Sequence, residues 1–200
     1  IVNYKTGDVV YQAALDNEIV REIYDYCLGT GCGMVTYDGD RVITGTDIDG
    51  YMTFEASINH MEIMRIDNFK EYIDFPLNKC LLTAEPDKAA KIEEELDAKF
   101  GKRVTIFRSE PYFVEIMPQN VHKATSLEKL LGVLEMEVKD LIACGDGYND
   151  LTMIDYAGIG VAMANAQDIV KEHADYITLS NDEDGLVPVV DKFILGDENI

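Results

Sequence analysis

Short apolar segments alternate with amphipathic segments along the C-terminal part of the chain, from residue 118 to residue 195. The run Leu141-Ile142-Ala143-Cys144, which ends at Gly145, is typical of a buried strand. Leucines at positions 127, 130, 131 and 134 instead form one stripe at helical spacing. Strands are predicted at 141–144, 159–163 and 176–179, and helices at 125–136, 149–157, 167–173 and 186–195. This alternation predicts a parallel sheet covered on both faces, with 141–144 as a central strand.

The first 117 residues follow a different pattern, in which pairs of alternating strands are joined by turn residues. Hairpins are predicted at residues 1–11, where Gly7 supplies the positive φ, and at residues 32–44. Further strands are predicted at 104–107 and 112–117, while residues 45–78 show no clear periodicity. The change of pattern places a domain boundary near Pro118.

Two helices are also predicted in this first part. Asp16 is a good N-cap for a helix that ends at Gly29, because a carboxylate accepts hydrogen bonds from first-turn N–H groups. The second helix runs from Asp87 to Phe100 and ends at Gly101.

The charge balance is acidic, with 17 Lys and Arg against 38 Asp and Glu and a net charge of −21. Such a surface repels phosphate backbones and anionic lipids, so we expect neither nucleic acid nor membrane as a partner. The four cysteines form no CxxC pair and the three histidines no metal-binding spacing, so a zinc site is not expected. Unpatterned thiols favour a reducing cytoplasmic location.

The string Gly145-Asp146-Gly147-Tyr148-Asn149-Asp150 lies where a predicted strand meets a predicted helix. Ligands of open α/β sheets bind at such loops, and glycines let the backbone approach a ligand closely. Carboxylate oxygens at this position are suitable ligands for Mg²⁺. The alternative is an ordinary turn in which Asn149 or Asp150 caps the next helix.

GDGYND resembles the fourth motif of the haloacid dehalogenase superfamily, GDGxND. Residues 160–166, Gly-Val-Ala-Met-Ala-Asn-Ala, resemble the GVAMGNA run of its Cof-type phosphatases, with Ala164 in place of glycine. Residues 174–185 resemble the family's AD.VT…SNDEDGV segment, and residues 115–123 resemble its EI.P.GV.K segment, with Ala124 following where glycine is usual. Four motifs in the right order make the resemblance specific, although residues 45–80 match loosely.

The resemblance implies an α/β fold with a haloacid dehalogenase-like, Rossmann-like parallel-sheet core, incomplete at its N-terminal strands, and an α/β cap domain. Residues 1–4 would be a remnant of the core, residues 5–117 the Cof-type cap, and residues 118–200 the C-terminal half of the core. It also implies a hydrolase that removes phosphate from a small phosphorylated metabolite, such as a sugar phosphate or phosphorylated cofactor, through an aspartyl-phosphate.

The family's roles map onto five residues of this chain. Asp146 would bind Mg²⁺, and Asp150 would be a second carboxylate acting on the metal, through water. Lys123 would stabilise the transferring phosphoryl group, and Asn149 would bind substrate or phosphate. Asn165 would either contact substrate or cap the following helix. Lys123 alone also fits a solvated lysine, and we expect it, Asp146, Asn149 and Asp150 to line one cleft between the domains.

The family's first motif, DxDGT, supplies the nucleophile and does not occur in these 200 residues. The nearest string, Asp47-Ile48-Asp49-Gly50-Tyr51, lacks the threonine and a preceding buried strand, and we interpret it as a solvated turn. It fails as an EF-hand too, because loop positions 1 and 12 would be Gly45 and Ala56. We therefore expect the nucleophile to lie outside this chain, and the sheet to have an exposed edge and an uncovered apolar face.

Three functions compete at this point. The first is the Mg²⁺-dependent phosphatase, which is inactive as this chain alone and is active with a complementing N-terminal segment. The second is a catalytically inactive remnant that only binds a ligand or partner, alone or as an oligomer. The third is the cytoplasmic part of a P-type ion pump, which shares GDGxND but is disfavoured by the lack of membrane helices and by the Cof-like cap.

Overall fold

The computed structural model describes residues 1–196, and the last four residues of the expected core segment lie outside that range. The chain divides into two compact units. We call Gln12–Val121 the inserted unit and the remainder, Ile1–Tyr11 with His122–Ile200, the C-terminal unit.

The boundaries of the units differ from the expected ones at both ends. Residues 5–11 group with residues 1–4, because Val2 bridges Val9 and the Val10 N–H donates to the Ile1 carbonyl at 2.9 Å. The inserted unit extends past residue 117 because Pro118 is still paired with Val104 in the sheet.

The inserted unit is built on one six-stranded sheet, with strand order β3-β2-β1-β4-β6-β5. The pairing of β2 with β3 is parallel and the other four pairings are antiparallel. Its strands are β1 (Gly33–Asp38), β2 (Arg41–Thr44), β3 (Glu62–Arg65), β4 (Cys80–Thr83), β5 (Val104–Glu110) and β6 (Phe113–Pro118). Its helices are α1 (Asn17–Thr30), α2 (Gly50–Ile58), α3 (Phe69–Tyr72) and α4 (Pro86–Phe100).

Both faces of this sheet contribute buried residues, because successive strand residues point to opposite faces and each face carries its own cluster. One cluster contains residues of α1 and α4 together with Met34, Ile43, Leu82 and Val114. The residues next to these in the strands point to the other face and pack with Met52 and Ala56 of α2 in a second cluster. They are Val35, Val42, Leu81 and Phe113. The pairing of β1 with β2 confirms the hairpin predicted at residues 32–44, and α1 and α4 confirm the two predicted long helices. In the hairpin predicted at residues 1–11, the turn is present at Gly7, but the two segments pair only through a single bridge between Val2 and Val9.

Two details of the sequence interpretation were wrong in this unit. The first helix continues to Thr30 and is closed by Gly31, whose φ of 65° is the left-handed conformation that glycine adopts most easily, rather than by Gly29. The Asp47–Tyr51 string is more than a solvated turn, because Asp49 is the N-cap of α2. Its Oδ1 accepts a hydrogen bond from the Met52 N–H at 2.8 Å, and its Oδ2 accepts one from the Thr83 hydroxyl at 2.5 Å.

The C-terminal unit contains the predicted alternation of strands and helices. Its strands are β7 (Ile142–Gly145), β8 (Ile159–Ala162) and β9 (Tyr176–Ile177), and its helices are α5 (Lys123–Leu134), α6 (Leu151–Tyr156), α7 (Asp168–His173) and α8 (Leu186–Val190). The three strands are parallel, in the order β7-β8-β9. Residues of α6, β8 and α7 form a small buried cluster that includes Ile154, Ala162 and Val170.

The position of β7 corrects one prediction. The strand is parallel, but within residues 1–196 it pairs with β8 alone and so lies at the edge of the sheet rather than at its centre. Only Ala143 of this strand is fully buried. Among the described residues β7 is therefore an edge strand. Several apolar side chains of this unit that follow the last strand, including Leu186, Val187 and Leu195, are exposed.

No helix among the described residues is both long enough and apolar enough to cross a membrane.

Candidate active site

The loop that follows β7 is folded back on itself by the carboxylate of Asp150. Asp150 Oδ2 accepts hydrogen bonds from the N–H groups of Asp146 and Gly147, each at 3.0 Å. The residue is 4% exposed, so its contacts with these donors are shielded from water. Asp150 is the N-cap residue of α6, but its side chain forms no hydrogen bond with that helix and instead accepts from the loop that precedes it.

Lys123 reaches this loop from a different element. It is the first residue of α5, where His122 is the N-cap, and its ammonium donates a hydrogen bond to Asp150 Oδ1. Lys123 is thus not merely a solvated lysine, although about half of its side chain stays exposed.

The pKa of Asp150 reflects two opposing effects. Burial raises the pKa. The hydrogen bonds that Asp150 accepts from Lys123, Gly147 and Asp146 lower it, as does the charge of Lys123. Together they more than offset burial, so the pKa of Asp150 lies below its usual value. The carboxylate is therefore ionised at neutral pH.

Asp146 is held from its other side by Asn165. Asn165 Nδ2 donates to Asp146 Oδ2 at 2.8 Å, and Asn165 Oδ1 accepts from the Asn181 N–H at 3.1 Å. The N-cap of α7 is Gln167, so the alternative role of Asn165 as that helix cap is wrong. Sequence reasoning missed Asn181, whose only signal was its place in the SNDEDG run.

Asn149 does not join this network. Its side chain is exposed and forms no hydrogen bond within residues 1–196. The structure thus brings together four of the five predicted residues: Lys123, Asp146, Asp150 and Asn165.

The donor set fits a Mg²⁺ ion that has few protein ligands. Asp146 Oδ1 accepts no hydrogen bond from residues 1–196, whereas both oxygens of Asp150 are engaged by Lys123 and by backbone N–H groups. In residues 1–196 there is no group of three or more His, Cys, Asp and Glu side chains placed to hold a metal. Mg²⁺ is commonly bound by one or two carboxylates together with water and phosphate oxygens, so Asp146 would be a direct ligand and Asp150 an outer one.

Gly145 is required by the close approach of Asp150. A Cβ atom added at Gly145 would lie 2.5 Å from Asp150 Cβ and 2.6 Å from its Cγ. We expect Gly145→Ala to reduce the free energy of unfolding by about 1–3 kcal/mol, because the loop must shift to relieve the clash. Gly132→Ala is a matched control within α5, where a new Cβ meets nothing within 4 Å, and it should be stabilising by roughly 0.5–1 kcal/mol. Urea unfolding of both variants tests this; equal effects would contradict the packing argument.

Known proteins resemble this chain along most of its length. Two Bacillus subtilis (strain 168) proteins are both named 5-amino-6-(5-phospho-D-ribitylamino)uracil phosphatase. YwtE is 37% identical over 212 residues, covering 94% of this chain and 73% of that protein. YcsE is 40% identical over 111 residues, covering 56% of this chain and 44% of that protein.

A solved structure shares the fold. The crystal structure of a haloacid dehalogenase-like hydrolase from Bacteroides thetaiotaomicron matches with a TM-score of 0.90 and 41% identity, over 96% of this chain and 72% of that one. This match confirms the predicted α/β fold class. The family profile for haloacid dehalogenase-like hydrolases matches residues 1–190. Together with the motifs around Asp146 and Lys123, this match shows that the chain belongs to the haloacid dehalogenase-like hydrolase family, in its Cof-type branch.

Proposed function

We propose that this chain forms part of a Mg²⁺-dependent phosphatase that acts on a small phosphorylated metabolite, through an aspartyl-phosphate whose nucleophile lies outside residues 1–200. The observation that supports this most directly is the contact of Lys123 with Asp150, whose carboxylate also fixes the loop that carries Asp146. These residues come from two separate motifs, 27 positions apart, and they meet in the unit that carries the parallel sheet.

Each residue would have a distinct task. Mg²⁺, when bound, would screen the repulsion between an attacking carboxylate and a dianionic phosphate. Asp146 would present its free oxygen to the ion while Asn165 fixes its other oxygen. Lys123 would place a positive charge near the phosphoryl group, and Asp150 would fix the position of that ammonium. Asn149, which is exposed, would be available to bind substrate or phosphate.

The substrate class is inferred from the relatives. Two of them are named for a phosphorylated ribityl compound, which is a small polyhydroxylated phosphate ester. We therefore propose a sugar phosphate or a phosphorylated cofactor or cofactor precursor. The cap role of the inserted unit, the core role of the C-terminal unit and a cytoplasmic location remain predictions.

A second candidate is a catalytically inactive protein that binds a ligand or partner. It is favoured by one observation, namely that no DxDGT string occurs in the 200 residues. The two proposals differ in whether turnover appears once that motif is supplied.

The test is to assay the 200-residue chain alone and after fusion, before Ile1, to a family segment that carries DxDGT. We expect the chain alone to show no Mg²⁺-dependent turnover on a panel of phosphate esters, because none of its groups is placed as the in-line nucleophile. The fused protein should hydrolyse at least one ester, lose that activity in EDTA and regain it when Mg²⁺ is added. Robust turnover by the chain alone, or a fused protein indifferent to Mg²⁺ removal, would contradict the proposal; a folded but inactive fusion would favour the second candidate.

A further inference from the structure

The inserted unit contains a cavity that the proposed phosphatase chemistry does not use. It has a volume of about 360 Å³ and lies at the C-terminal end of α2. Its walls include Glu55 and Asn59 from that end of α2, Tyr37 from β1, and Asn78 and Lys79 from the segment before β4. All of these residues belong to the inserted unit, so the cavity is complete within it.

Glu55 is a buried carboxylate in the wall of this cavity, with only 7% of the residue exposed. Its Oε1 accepts hydrogen bonds from the Tyr37 hydroxyl at 2.5 Å and from Asn59 Nδ2 at 3.0 Å. Among residues 1–196, no group donates a hydrogen bond to Glu55 Oε2, and the carboxylate has no ion-pair partner. No fully buried side-chain oxygen of the described residues lacks a hydrogen-bond partner, so Oε2 keeps some contact with solvent. A cation that entered the cavity would pair with this carboxylate, which has no counter-ion in that part of the chain.

The neighbours of Glu55 do not already supply that cation. Burial and then the hydrogen bond to Glu55 raise the pKa of Tyr37, so its hydroxyl stays a neutral donor. The Lys79 ammonium is 3.4 Å from Glu115 Oε2 and 5.3 Å from the centroid of the Tyr37 ring. The positive charge of Lys79 is therefore paired with the carboxylate of Glu115 and not with Glu55.

The remaining groups make the cavity rich in acceptors. Asn59 Nδ2 donates to Glu55, while Asn59 Oδ1 accepts no hydrogen bond from residues 1–196. The C-terminal end of a helix carries partial negative charge, and the last turn of α2 contains no basic residue to offset it. A ligand that donates several hydrogen bonds and carries positive charge fits this arrangement.

We propose that the Glu55 cavity is a binding site for a small molecule with a primary ammonium group, such as an amino alcohol or amino sugar. The ammonium would donate to Glu55 Oε2 and to Asn59 Oδ1. The amide of Asn78 and the Tyr37 ring would contact the rest of the ligand. This site is separate from the Asp146 loop in sequence and lies in the other unit.

Isothermal titration calorimetry of the 200-residue chain tests the proposal with ethanolamine and glucosamine as probes. At least one should bind saturably at millimolar concentration, while ethylene glycol and glucose, which lack the ammonium, should not. Glu55→Gln keeps the shape of the side chain but removes its charge, and should weaken binding by about tenfold or more. Glu94→Gln, an exposed position on α4, makes the same charge change and should leave binding unaltered.

Circular dichroism of each variant shows whether the fold is retained. If Glu55→Gln fails to fold, Tyr37→Phe decides instead. It removes a donor to the carboxylate but keeps the charge, so ammonium binding should be unchanged or tighter. Four outcomes would each overturn the proposal. The first two are failure of both ammonium probes to bind the wild type saturably, and equally strong binding of the hydroxyl compounds. The other two are binding at full strength by a folded Glu55→Gln protein, and loss of binding by Tyr37→Phe. These outcomes depend on ligand binding and not on phosphatase turnover, so failure of this proposal can be distinguished from failure of the proposed function.

Discussion

Asp146→Asn should lower the Mg²⁺-dependent turnover of the chain fused to a DxDGT segment by about 100-fold or more. The substitution keeps the shape of the side chain but removes its negative charge. Asn165 Nδ2 already donates to one oxygen of Asp146 at 2.8 Å, so the new amide would turn its own oxygen toward Asn165. Its NH₂ group would then point to the position proposed for the metal, where it would repel a cation.

The measurements for this variant are kcat and the Mg²⁺ concentration that gives half-maximal rate. Asp184→Asn is the matched control, because Asp184 is exposed and its φ of 54° is a conformation that asparagine adopts readily. The control should keep the wild-type rate and the wild-type Mg²⁺ requirement. Equal activity of Asp146→Asn and the wild-type fusion would remove Asp146 from the proposed metal site.

The repeating patterns of the chain were sufficient to predict most of the fold. The pairs Met34/Val35 and Ile43/Val42 pack into different clusters on opposite faces of one sheet, as strict alternation requires. The helix from residue 86 to residue 100 places its four buried residues at helical spacing. These elements are long or regular enough for local sequence to define them.

The secondary structure of residues 45–78 could not be predicted from the sequence, and the reason is physical. They contain two four-residue elements, β3 and α3, which are too short to show a period. The N-cap of α2, Asp49, is partly fixed by Thr83, a residue 34 positions away that no local pattern reveals. The edge position of β7 likewise depends on which strands pair, and not on the apolar character of the strand itself.

The candidate site, like the fold, combines a feature that is local in the sequence with contacts between residues far apart in the chain. The Gly145–Asp150 string is local, so a functional loop at the end of a strand could be proposed from its residues alone. The approach of Lys123 to Asp150 spans 27 positions, so it was expected only from the family resemblance. The role of Asn165 stayed open in the sequence, and the structure favours a bond to Asp146 over a helix cap.

Asp150→Asn should reduce the free energy of unfolding by about 3 kcal/mol, since an amide cannot accept hydrogen bonds from all three donors that Asp150 serves. The amide oxygen can satisfy either the Lys123 ammonium or the two backbone N–H groups. Its NH₂ group then faces the donors that remain. Because Asp150 is buried, water cannot replace the lost acceptor. Urea unfolding at neutral pH measures the change.

The same carboxylate should contribute to the acid sensitivity of the protein. Its pKa is lower in the folded chain than its usual value of 3.8, so the unfolded chain binds the proton more tightly. The stabilisation from ionised Asp150 is therefore complete well above pH 3.8 and is lost as the pH falls below that value toward the folded pKa. Asp150→Asn should lack this part of the acid dependence, so its unfolding free energy should approach that of the wild type as the pH is lowered.

Lys123→Met separates the ion pair from the backbone contacts. Lys123 is about half exposed but Asp150 is buried, so loss of the lysine should cost about 1–2 kcal/mol, while Asp150 still accepts from Asp146 and Gly147. At neutral pH we therefore expect the free energy of unfolding to be highest for the wild type, lower for Lys123→Met and lowest for Asp150→Asn. The difference between the wild type and Asp150→Asn should become smaller in acid. If both variants lost the same stability, the loop would depend on the lysine alone. If neither did, Asp150 would not be what holds the GDGYND loop in place, and the geometry proposed for Asp146 would lose its support.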